Sequence, residues 1–115
     1  MKEIDKGQHF DTGKLEWSLM PWTCLKEVVK VFAYGAYYKK PKSYGRHNYQ
    51  KGVSVTALLN SIERHKVAFF YECQDNDDES GLSHLAHLIC DAIMALYMVM
   101  FKPEFDDRKK YRDGG

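Results

Sequence analysis

The sequence is poor in the features that usually declare a purpose. Its three cysteines, Cys24, Cys73 and Cys90, are odd in number and contain no Cys-x-x-Cys pair. That excludes a disulfide frame and a zinc knuckle, and it predicts free buried thiols in a reducing compartment. Neither sign of charge dominates: the formal net charge is +1, which argues against a general nucleic-acid binder. Long apolar runs are missing too. The longest, Ala92 to Phe101, is far short of a membrane span, and the opening MKEIDKGQHFD has no apolar segment for a signal peptide. A soluble, cytoplasmic protein with no membrane partner is expected. No internal repeat or second domain is visible in the 115 residues, and a hydrophobic content of 44% is enough for one real core.

One absence is local. Between Ser80 and Met100 there is no lysine, arginine or glutamate. At 100° per residue this stretch is a helix with two faces. Leu85, Ile89, Ile93 and Leu96 form an apolar stripe, with Ala86 and Tyr97 at its edge. Opposite, His84, His87 and Asp91 line up at i, i+3 and i+7, and Leu88, Ala95 and Met98 continue that face. Such a helix should be buried nearly all round, which a small monomer achieves only with difficulty, so a homo-dimer or larger homo-oligomer is expected. Its three stacked titratable groups then need partners, a ligand or a metal.

The rest of the chain can be taken in order. Asp11-Thr12-Gly13-Lys14 has turn chemistry, and Leu15, Trp17 and Leu19 alternate, so residues 1–20 read as an arm laid across the domain. Pro21 opens a first helix whose stripe is Leu25, Val28, Val29, Phe32, Ala33 and Ala36, ending near Tyr38. Lys39 to Lys51, KKPKSYGRHNYQK, holds five basic residues with Tyr44, His47 and Tyr49 and no acid. A basic, aromatic loop suits a phosphate and a stacked base, although composition alone fits a solvated connector equally well. Ser54 caps a second helix with the stripe Val55, Leu58, Leu59, Ile62 and Phe69, and Lys66 falls inside that stripe, where it either snorkels or faces an anion. Gln74 to Glu79 is an acidic turn between antiparallel helices, without the glycine and terminal glutamate of a calcium loop. Ser80 is the expected cap of the third helix, and the charged stretch after Phe101 is a short helix or frayed tail.

The chemistry concentrates on His65, His84, His87 and Asp91. Histidines one turn apart on a buried face can share a divalent metal, and a carboxylate a turn further on can ligate or orient a ring. The same imidazoles near Arg64 and Lys66 could instead form an anion pocket at a helix start.

DTGKLEWSLMPW, YGRHNYQKG, the Arg64-His65 pair and ESGLSHLAHLICDA together resemble a small phage-associated family, the N-terminal domain of dATP/dGTP diphosphohydrolases, over about residues 10–98. The resemblance implies an all-α fold. More distantly, the helix pattern is similar to the MazG-like nucleoside triphosphate pyrophosphohydrolases, helical oligomers that cleave the α–β phosphate bond with magnesium on Glu-x-x-Glu and Glu-x-x-Asp helices. This chain departs from that pattern, with Glu63-Arg-His-Lys66 on the second helix and His84-Leu-Ala-His87 on the third. The loss of oxygen ligands argues against the usual two-metal hydrolysis.

The expected architecture is therefore an all-α, MazG-like, oligomeric bundle of three long helices plus a short C-terminal helix or tail. It divides into an arm (1–20), a helical nucleotide-binding domain (21–102) and a polar tail (103–115). The expected ligand is a purine nucleotide. As an enzyme, the chain would use Glu63, His65, His84, His87 and Asp91 for a divalent metal (magnesium or manganese, with zinc as the other option), and His84 and His87 for catalysis. Lys14, Arg46, Lys51, Arg64 and Lys66 would grip phosphate, and Trp17, Tyr44 and Tyr49 would stack on the base. The alternatives are a non-catalytic phage sponge for a nucleotide immune signal, which needs no cofactor, and a helical adaptor for a host protein.

Overall fold

A computed structural model of the chain describes residues 12–114, apart from the side chain of Tyr111. Every named element among the described residues is a helix, and the loop before the third long helix adds one isolated antiparallel bridge, Asn76 to Ser83. Helix α1 runs Trp22–Ala33 and continues as a wider π turn over Tyr34–Tyr38. Helix α2 spans Val55–Phe70, α3 spans His84–Phe101, and a short α4 covers Arg108–Arg112. Single 3₁₀ turns lie at Trp17–Leu19, Asn48–Lys51 and Pro103–Phe105.

The expected caps are half right. Ser54 starts α2, its hydroxyl accepting from the Ala57 N–H at 3.2 Å. The third helix begins later than Ser80: Gly81 has φ +73, which breaks the helix there, and Ser83 is the cap, accepting from the Ala86 N–H at 3.2 Å.

Helices α2 and α3 lie antiparallel, so that Val55 and Leu58 meet Ala95 and Met98 at one end while His65 meets His84 at the other. Helix α1 covers the first half of α3, with Val28 and Val31 packing on Ala86 and Cys90. Met94 touches both core patches and joins them. Burial pushes the Cys90 thiol up to about 12, so it is an inert core group. Cys24 and Cys73, by contrast, are free and exposed.

The orientation of α3 corrects the all-round burial read from its sequence. Its inner face is made of small residues, Ala86, Cys90 and Ala95, which let α1 and α2 approach closely. The leucine stripe therefore turns outward: Leu85, Ile89 and Leu96 are 44%, 42% and 57% exposed, and only Ile93 packs on the core. Helices α1 and α2 cover two sides of α3 and leave this one open among the described residues. By length and composition α3 would also pass for a membrane span, with a mean hydropathy of 1.7, yet His84, His87 and Asp91 sit within it.

The tail is docked. Asp107 Oδ1 accepts from the Thr56 N–H at 3.0 Å, and its Oδ2 accepts from the hydroxyls of Ser54 (2.7 Å) and Thr56 (2.8 Å). A carboxylate on the first N–H groups of a helix satisfies orphan donors and meets the positive end of the dipole. The Ser54 hydroxyl and then the Thr56 N–H hold the Asp107 carboxyl at about 2. An unfolded aspartate titrates near ~3.9, so this cap stabilises fully above that pH and fades as pH falls toward the folded value. Asp107→Asn should therefore lower the thermal midpoint at pH 7 and differ little from the parent near pH 2, as a melting series across pH would show.

Candidate functional site

The polar centre forms where the end of α2, the start of α3 and the loop between them converge. Helix α2 turns His65 inward toward α3, and its Nδ1 lies 2.9 Å from His84 Nδ1, so one ring donates to the other. His87, one turn beyond His84, stacks on His65 with ring centres 4.6 Å apart and planes 13° from parallel. Its Nε2 lies 2.7 Å from the Ser80 hydroxyl, which also accepts from the Leu82 N–H. The spacing that placed these histidines on one face thus brings them to His65.

Asp77 joins them from the loop. Its Oδ1 accepts from the N–H groups of Glu79 and Ser80, both at 2.9 Å, in an Asx-type turn that aims the carboxylate at the histidines. Donor atoms of His65, Asp77 and His84 all lie within 4.8 Å of one another. Sequence reasoning missed Asp77, reading it as one acid in a solvated run. The available signal was the Asp-x-x-Ser spacing just ahead of a helix start.

Burial lowers the affinity of His65 and His87 for a proton, so both rings favour the neutral form with a free lone pair. Burial also pushes Asp77 up, but the Ser80 N–H, His87 and the Glu79 N–H outweigh it and the carboxyl ends below its ordinary value. Asp91 is raised by burial, against the pull of Ser61, His65 and Arg64. Two buried atoms here have no hydrogen-bond partner among the described residues: His84 Nε2, on a side chain only 4% exposed, and Asp91 Oδ2.

A rim stands beside the centre. Glu79 accepts from the Tyr34 hydroxyl (3.0 Å) and from Lys39 Nζ (3.1 Å), which ties the loop to the end of α1. Lys39 Nζ lies 5.9 Å from the ring centres of both Tyr34 and Tyr44, and Tyr34 meets His87 edge-on at 6.4 Å.

The other expected site residues fall elsewhere. Glu63 and Lys66 form an exposed ion pair at 3.2 Å, because i and i+3 bring them together on the outer face of α2. Lys66 therefore snorkels to solvent and faces no internal anion. Glu63 and Arg64 line a shallow outer groove with Asn60, Val67 and Glu72. Lys14, Arg46 and Lys51 are exposed, as is Trp17. Tyr49 is a core group whose ring packs on Phe32 (5.7 Å) and Tyr97 (5.4 Å), which leaves little of its face for a base.

The magnesium cluster implied by the distant likeness does not fit these residues. Magnesium demands oxygen ligands, and here the carboxylate positions carry imidazoles and an outward-turned Glu63–Lys66 pair.

Fold and site together define an all-α domain built around an internal histidine–aspartate centre. The chain belongs to the family described as dATP/dGTP diphosphohydrolase, N-terminal, which matches residues 5–108. It is 35% identical over 103 residues to a dATP/dGTP diphosphohydrolase of Salmonella phage PMBT28, an alignment covering 90% of this chain and 33% of that protein. The chain thus spans about a third of the length of this relative. No solved structure matches it.

Proposed function

We propose that this domain binds a purine deoxynucleoside triphosphate and takes part in its hydrolysis to the monophosphate and pyrophosphate. The observation that carries this reading is the placement of Tyr34 edge-on to the neutral His87, with Lys39 beside the rings of Tyr34 and Tyr44, a combination of anion grip, aromatic face and proton acceptor. The name of the phage relative supports the substrate class. In the proposed step a water oxygen bonds to the α-phosphorus, the bond to the bridging α–β oxygen breaks, and pyrophosphate leaves. His87, half-buried and held by Ser80, takes the water's proton, and His84, more deeply buried, positions His65. Lys39 exchanges Glu79 for a phosphate oxygen. The reading includes a second copy of the chain over the outer leucine face of α3.

Incubating the purified protein with dATP or dGTP and a divalent metal, followed by anion-exchange chromatography, tests it. Monophosphate with pyrophosphate supports the proposal, intact nucleotide that co-elutes with protein overturns its hydrolytic half, and the absence of both overturns it whole. Lys39→Ala should raise KM about tenfold with kcat nearly unchanged, the signature of a lost charge-assisted contact to bound substrate.

A further inference from the structure

We infer that His65, Asp77 and His84 form a binding site for one zinc-class divalent cation, a site that stands apart from the nucleotide reading and does not require it. The three donors come from α2, the connecting loop and α3, so the fold itself gathers them. Tetrahedral coordination at Zn–N distances of 2.0–2.1 Å would set the two ring nitrogens ~3.3 Å apart. They stand at 2.9 Å, so the rings need only a small parting to admit an ion.

Asp77 is already oriented as a ligand. Two N–H groups hold its Oδ1, and among the described residues Oδ2 receives no hydrogen bond. His87 and Ser80 form the supporting layer, the stacked ring of His87 fixing the plane of His65.

The His84 ring has Nδ1 at the cluster and its other nitrogen, Nε2, buried with no partner among the described residues. If His84 Nδ1 donates to His65, its Nε2 is a bare lone pair inside the protein. If it accepts instead, Nε2 carries a proton with no acceptor. An ion on the two Nδ1 lone pairs selects the second case, so that His84 Nε2 carries the proton as a buried donor while Asp91 Oδ2 is a buried acceptor, neither with a direct partner among the described residues. Two imidazoles and one carboxylate suit zinc or cobalt, with a fourth position left for water, whereas magnesium avoids such nitrogen-rich sets.

The test uses the full chain with Cys24 and Cys73 replaced by serine, because these exposed thiols would bind metal on their own. After chelator treatment, cobalt(II) is titrated with no nucleotide present, visible absorption and heat are recorded, and zinc(II) and magnesium(II) follow in parallel. One cobalt per chain is expected, with visible bands that zinc bleaches and magnesium does not, and magnesium at least about 100-fold weaker. Asp77→Asn should weaken cobalt at least about tenfold, and His65→Gln and His84→Gln should each remove the bands. Circular dichroism selects which of the two histidine variants is folded and read. No saturable band, affinity unchanged in Asp77→Asn and the folded histidine variant, or magnesium binding as tightly as zinc would each overturn the site. Because no nucleotide is used, metal binding here combined with no hydrolysis in the separate dATP or dGTP assay would retire the enzymatic reading and leave this one standing.

Discussion

On the proposed hydrolytic reading, replacing His65 with asparagine should cut nucleotide turnover by about 100-fold or more while helical circular dichroism is retained. His65 is the residue on which the polar centre turns. It exchanges a hydrogen bond with His84 at 2.9 Å and carries the stacked ring of His87. Asparagine is polar but shorter and cannot keep both. The structural cost should be modest: His84 loses its one ring partner inside the protein, a loss worth roughly 1–3 kcal/mol. Single-turnover kinetics on dATP or dGTP, with urea unfolding of the same sample, separates the two effects. Turnover at the parent rate would mean that the histidines serve packing alone.

The second large effect is on stability. Gly52 has φ +126, a region side chains rarely adopt, and a Cβ there would land inside the Phe105 ring. Gly52→Ala should therefore destabilise the fold by roughly 2–4 kcal/mol, because backbone strain and overpacking act together. Phe105→Ala should also destabilise, through lost packing on Val55, Leu58, Ala95 and Met98. The double variant should lose much less than the two single losses combined, since the ring that obstructs the alanine is gone and only the strain remains. Equal and additive losses in urea melts would show that Gly52 matters for its backbone alone.

Much of this arrangement was legible in the sequence. The 3.6-residue period marked the three long helices, and the i, i+3, i+7 run of His84, His87 and Asp91 marked one face of the third. His65 could be joined to them because a short acidic turn forces α2 and α3 to run antiparallel, with the end of one at the start of the other. What periodicity cannot tell is which face the neighbours choose. On α3 the large leucines drew the eye, yet helices pack closest on alanine and cysteine, and Leu85 and Leu96 are left outside. Asp77 looks like its neighbours Asp75 and Asp78 until the turn through Ser80 is seen. Lys39 was one of five bases in its loop, and only its bond to Glu79 distinguishes it. Tyr49 shows the opposite error: an aromatic beside lysines suggests a base platform, but Phe32 and Tyr97 already occupy it.

The clasp of Asp107 on the first turn of α2 has a mechanical consequence. His65 lies ten residues along that helix from Val55, about 15 Å at the α-helical rise. The family match ends at residue 108, immediately past the clasp. Shortening the chain upstream of Asp107 would let α2 fray from its origin, and whatever displaces the polypeptide after Arg108 tugs on the same rod that holds the histidine at its far end.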